Sequence, residues 1–116
     1  MEFTGITVSP GKIKGRILIL HSENHKDIDE IFFRCTDEHI LLVVGVKPHP
    51  ALINRCAGML AIFGGVNSHV SIGAREHGKP AIVNLAEDIL DYLKDEDWVE
   101  LDGDSGVVRR MVLNDK

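Results

Sequence analysis

Residues Ile40 to Val46 read Ile-Leu-Leu-Val-Val-Gly-Val, a run of β-branched residues and leucine with no polar alternation. A strand covered on both of its faces has this pattern, whereas a half-exposed antiparallel strand alternates. Lys47-Pro48-His49-Pro50 ends the run and reads most simply as a turn, with Pro50 suited to the first turn of a helix reaching about Cys56. Met59 to Phe63 then forms a second buried run. Strand, short helix and strand in succession predict parallel pairing, and with it an α/β fold.

The flanks are consistent with this core. Gly5-Ile6-Thr7-Val8 alternates like a short strand, Ser9-Pro10-Gly11 predicts a tight turn, and Lys14 to Leu20 reads as the next strand. Between His21 and Glu38, Ile28, Ile31 and Phe32 are spaced for one helical face, which places a short helix or ordered loop there. Ser68 is a good N-cap, and a helix over residues 69 to 77 is closed by Gly78 with Pro80 just beyond. Ala81-Ile82-Val83 is a strand and Ala86 to Leu93 looks helical. Trp98 to Leu101 then pairs through a turn at Asp102 to Gly106 with Val107 to Val112. Residues 1–116 contain no repeat, low-complexity tract or linker, so a single domain is expected.

Composition weakens several classes of function. Lys plus Arg number 13 against 18 Asp plus Glu, and only Arg109 and Arg110 are adjacent, so the clustered positive charge of a nucleic-acid binder is missing. The apolar runs fall short of the ~18 residues of a membrane-spanning helix. Met1-Glu2-Phe3-Thr4-Gly5 lacks the basic start of a secretory signal, which makes the cytoplasm the expected location. Cys35 and Cys56 have no CxxC partner, so reduced, buried thiols are expected. His21 and His25 have a spacing used by zinc sites, yet no further ligand pair accompanies them, and no metal is expected.

Gly64-Gly65-Val66-Asn67-Ser68-His69 carries the chemistry, because it sets a histidine at the first position of a helix after a glycine pair. Unbonded N–H groups at a helix N-terminus carry partial positive charge, which disfavours imidazolium and favours an anion attached to the ring. A neutral imidazole is a nucleophile. His69 is therefore a candidate acceptor of a phosphoryl group, with Gly64 and Gly65 letting a bulky donor approach the backbone and Ser68 and Asn67 adding hydrogen bonds. A second reading fits the same residues, in which Ser68 only caps an ordinary helix. Arg75, six residues into the helix, reaches a phosphate only if the fold brings it back; alone it is more often solvated or salt-bridged. His77, near the helix C-terminus, is a favourable dipole partner.

Gly64 to Val83, through Ser68-His69 and Ala74-Arg75-Glu76-His77-Gly78-Lys79-Pro80-Ala81, closely resembles the swivelling phosphohistidine domain of phosphoenolpyruvate-utilising enzymes. That family includes phosphoenolpyruvate synthase, pyruvate phosphate dikinase and enzyme I of the sugar phosphotransferase system. Gly5 with Ser9-Pro10-Gly11 and Gly15 looks like the family's opening, and Val99 with Asp102-Gly103 and Gly106-Val107 like its closing hairpin. The resemblance implies a swivelling β/β/α fold in which His69 accepts a phosphoryl group, Ser68 and Asn67 are its neighbours, and Arg75 supports the site. It also implies that ATP, phosphoenolpyruvate and magnesium belong to partner domains. Those partners are an ATP-grasp nucleotide domain and a phosphoenolpyruvate, pyruvate or other acceptor domain, in the same longer chain or in trans.

Three positions depart from the family pattern. Asn67 stands where Thr is usual, and it can still donate and accept hydrogen bonds. Asn84 replaces a common Gly and tolerates left-handed φ. Glu96 replaces a frequent turn glycine, a change expected to touch only the loop. The expected function is a phosphoryl carrier, not a complete enzyme, since 116 residues leave no room for a nucleotide domain or barrel. The alternative is a non-catalytic interaction module that kept the fold and lost phosphorylation.

Overall fold

The computed structural model describes residues 1–21, 27–65 and 68–111. Among these described residues eight strands run in chain order: β1 (Glu2–Thr4), β2 (Ile6–Ser9), β3 (Lys12–Leu20), β4 (His39–Val44), β5 (Gly58–Ile62), β6 (Ala81–Leu85), β7 (Trp98–Asp102) and β8 (Val107–Arg110). Three α-helices, α1 (Ile28–Arg34), α2 (Pro50–Arg55) and α3 (His69–His77), precede β4, β5 and β6 respectively. The predicted helix at Ala86 to Leu93 is a shorter 3-10 turn, Glu87–Asp91. The fold is mixed α/β.

All strands join one sheet in the order β1-β8-β7-β3-β4-β5-β6-β2. At its centre β3, β4, β5 and β6 are parallel, as the two apolar runs predicted. Side chains alternate between two cores along each central strand. Leu18, Leu20, Leu41, Val43, Met59 and Ala61 pack with Ile31, Leu52, Ile53, Val70 and Ala74 of the three helices. Ile17, Ile40, Leu42, Leu60 and Ile62 face the other way, onto Ile89, Leu93, Val99, Leu101 and Val108. The antiparallel strands therefore cover the face that the helices leave, and β4 and β5 are covered on both sides.

The N-terminal segment closes the sheet. β1 pairs with β8 at one edge, and β2, one residue further on, pairs with β6 at the other. The joint is Gly5, whose N–H donates to the Gly106 carbonyl at 3.0 Å and whose missing Cβ would sit 2.5 Å from the Val83 carbonyl oxygen. The Thr7 hydroxyl donates to the Gly103 carbonyl, drawing the β7–β8 turn onto β2. Arg110 N–H in turn donates to the Met1 carbonyl at 3.1 Å.

Glu96 does more than the sequence suggested. Its backbone is left-handed at φ 72, and its carboxylate is the acceptor of a partly buried network. Thr36 N–H donates to His39 Nδ1 at 3.0 Å, so the His39 proton lies on Nε2, which donates to Glu96 Oε1 at 3.1 Å. Arg16 Nη1 donates to the same oxygen at 3.0 Å. His39 is buried at the start of β4, so the carboxylate satisfies a donor that water does not reach. A glycine here would spare the backbone strain and leave that donor unmet.

Cys35 and Cys56 are both free and buried, as expected from the sequence. Loss of hydration pushes the Cys35 thiol up to about 11 and the Cys56 thiol up to about 12 from an ordinary 9.0. In the unfolded chain both ionise near pH 9 while the folded chain keeps their protons. Their contribution to stability is thus complete below about pH 9 and is lost as the pH climbs through about 11 to 12. Denaturant midpoints measured from pH 8 to 11 should fall, and should fall less in a Cys35→Ala, Cys56→Ala double variant.

Candidate functional site

β5 ends at Ile62, and the chain leaves it through Phe63 and Gly64, both left-handed at φ 66 and 87. Phe63 N–H donates to the Leu85 carbonyl at 3.4 Å, and Asn84 N–H donates to the Phe63 carbonyl at 3.0 Å, which fastens this turn to the end of β6. Asn84 is itself left-handed at φ 60, the conformation expected where a glycine is usual. Phe63 is 58% exposed, an aromatic ring held in water beside the loop.

α3 starts where the sequence placed it. The Ser68 side chain accepts from Ser71 N–H at 3.3 Å, and the Ser71 hydroxyl donates to the Gly65 carbonyl at 2.7 Å. The Ser68 hydroxyl then donates to Ser71 Oγ at 3.0 Å, because the Ser71 proton is already committed. Ser68 is therefore a cap and a brace. Ser71, fully buried, locks the loop to the helix; the sequence reading passed it over, although a second serine three residues after an N-cap was a legible signal.

His69 is the first residue of α3, exposed, at the C-terminal ends of β4 and β5. That end of a parallel sheet is where α/β folds place ligands. The His69 and Val70 N–H groups make no backbone hydrogen bond to a described residue, so the helix end keeps its partial positive charge beside the ring. Two clefts meet at His69. One, of about 330 Å³, runs between Gly45, Lys47, Phe63, Gly64 and Val70; the other, of about 280 Å³, between Lys47, Pro50, Ile72, Glu76 and His77.

Of the candidate residues, Gly64, Gly65, Ser68 and His69 come together. Among the described residues, no atom lies within 4 Å of where a Cβ on Gly65 would stand. Asn67 lies outside the described residues, as does His25. Arg75, on the last turn of α3, donates through Nε to the Val8 carbonyl at 3.0 Å, tying the helix to β2. His77 borders the second cleft, and His49 caps α2, its Nδ1 accepting from Ala51 N–H at 3.0 Å. Among the described residues, no three His, Cys, Asp or Glu side chains gather to hold a metal ion. None of the described helices is long and apolar enough to cross a membrane. Lys47, read from sequence as part of a turn, borders both clefts at His69.

Comparison with known proteins bears on this geometry. A family model described as "PEP-utilising enzyme, mobile domain" matches residues 36–106, a stretch that contains the whole site. A chain from Methanothermobacter thermautotrophicus named "Probable phosphoenolpyruvate synthase" is 32% identical over 106 residues, covering 90% of this chain and 14% of that one. A chain of the same name from Pyrococcus abyssi is 31% identical over 111 residues, covering 94% and 13%. The present chain thus spans about one seventh of the curated relatives it matches. Among solved structures, a UPF0107 protein determined by NMR superposes with a TM-score of 0.72 at 12% identity, covering 97% of this chain and 100% of that one. Aconitase X from Thermococcus kodakaraensis gives 0.65 at 17%, covering 97% and 99%. At such identities these two speak for the fold alone.

Proposed function

Since the chain belongs to the mobile-domain family of phosphoenolpyruvate-utilising enzymes, we propose that it is a phosphoryl carrier. It takes a phosphoryl group on His69 and passes it between a nucleotide site and a phosphoenolpyruvate, pyruvate or other acceptor site. The observation that carries this reading is the position of His69: exposed, first in α3, between two open clefts at the C-terminal ends of parallel strands. In this reading the helices and the two layers of strands form a β/β/α body of the swivelling kind. ATP, phosphoenolpyruvate and magnesium lie on partner domains, as the much greater length of the relatives allows.

In the transfer, a ring nitrogen of His69 gives its lone pair to phosphorus and forms an N–P bond while the bond from phosphorus to the donor's leaving oxygen breaks. That oxygen keeps the bonding pair. The return step reverses this, with an acceptor oxygen attacking phosphorus and the imidazole leaving. The α3 N–H groups present partial positive charge to the resulting anion, and Ser68 and Ser71 hold the ring's backbone still. Asn67 is a hydrogen-bonding neighbour in this proposal, and Arg75 supports the site.

The test mixes the purified chain with the nucleotide and phosphoenolpyruvate domains of a phosphoenolpyruvate synthase and with either donor, followed by intact mass. One added phosphoryl group, lost in acid and kept in alkali as a phosphoramidate should be, is the expected result. A chain that stays unlabelled with both donors would favour the interaction-module reading instead.

A further inference from the structure

Lys47 stands on the loop from β4 to α2 and borders both clefts that flank His69. In the cleft bounded by Phe63 and Gly64 it is the sole Lys, Arg, Asp or Glu among the described lining residues. In the other, Glu76 lies two helical turns beyond His69 on α3. The loop is fixed at both ends. Gly45 turns it at φ 67, Pro48 is buried, and Pro50 and the His49 ring start α2. Parallel pairing sets Val44 beside Ile62, so the loops that leave β4 and β5 are neighbours by register. Lys47 is held near His69 by the sheet itself.

A phosphoryl group attached to a side chain adds roughly two negative charges at neutral pH. On a chain of net charge −5, those charges need a local cation. Arg75 donates through Nε to the Val8 carbonyl and is not among the described residues lining either cleft. We infer that Lys47 is the cation that faces the phosphoryl group on His69, drawing the anionic donor in and stabilising the charge that stays on the ring. This rests on the carrier reading and adds a residue to it.

Phosphoramidate tests it without any partner. The His69 nitrogen attacks phosphorus, the P–N bond of phosphoramidate breaks, ammonia leaves with the bonding pair, and the ring's remaining proton passes to it as ammonium. The adduct at His69 is followed by intact mass and peptide mapping for wild type, Lys47→Ala, Lys47→Arg and, as a surface control, Lys14→Ala. Lys47→Ala should label roughly tenfold more slowly, Lys47→Arg should recover most of the rate, and added salt should narrow the gap. Lys14→Ala should match wild type, and all four should share one thermal midpoint. Equal rates for wild type and Lys47→Ala, with His69 labelled in both, would overturn the inference and leave the carrier reading standing. An arginine variant as slow as the alanine variant would overturn it too, because charge would not be the cause. A wild type with no adduct on His69 would remove the carrier reading and the inference together.

Discussion

His69→Ala should abolish the acid-labile label altogether, while His21→Ala, His49→Ala and His77→Ala keep it. The reason is positional: among the described histidines only His69 combines exposure with a place at the first turn of a helix and at the meeting of two clefts. His49 spends one ring nitrogen on the α2 cap, and His39 is buried between Thr36 and Glu96 at the opposite end of β4. The loss cannot come from unfolding, since an exposed side chain at N1 carries little of the core; surface changes of this kind stay within about 0.5 kcal/mol. The measurement is one labelling time course with the same donor domains on four variants and wild type. Label persisting in His69→Ala would move the nucleophile elsewhere.

Gly5→Ala should lower the thermal midpoint by roughly 10 °C, the second large effect. A Cβ at residue 5 would lie 2.5 Å from the Val83 carbonyl oxygen and 2.7 Å from Ile82 Cγ2. The first of these is backbone of β6, held by β5 on one side and β2 on the other, so it has no room to retreat. Overpacking typically costs about 1 to 3 kcal/mol, and here relief requires parting two strands, so about 3 kcal/mol is expected. At this chain length each kcal/mol moves the midpoint by about 4 °C. Gly65→Ala is the matching control, with no described residue within 4 Å of its Cβ, and should shift the midpoint little. An unchanged midpoint for Gly5→Ala would mean that the N-terminal segment does not close the sheet.

What the sequence disclosed divides along the range of the interactions. α3 is bounded by Ser68 and Gly78, and both limits were readable because caps act within four residues of the helix end. Left-handed φ at Asn84 was readable only against the family pattern, where a glycine is common at that place. The parallel centre followed from two apolar runs, since only strands covered on both faces lack alternation. The pairing of β1 with β8 and of β2 with β6 spans most of the chain, and no local pattern in three or four residues encodes it. Glu96 was misread because its partners, Arg16 and His39, are 80 and 57 residues away. In the site, His69 stood out through its glycines and serine. Lys47 did not, because a lysine in a Pro-rich turn becomes informative only once the register of β4 and β5 puts its loop beside α3. The contact of Arg75 with β2 was not legible either, because Val8 lies 67 residues away in the chain.

The hydrogen bond from Arg110 to Met1 has a mechanical consequence. Met1 and Arg110 lie side by side on the body, so tethers attached through them would share one anchorage. Anchors on opposite faces fix an orientation, but a shared anchorage acts as a pivot and leaves rotation almost free. Flexible tethers of about ten residues reach ~17 Å. Added to a body whose longest extent is 36 Å, that reach would let a histidine on its surface sweep an arc several nanometres across. Stations for loading and unloading could then stand well apart, and rotation alone would bring the same imidazole to each in turn.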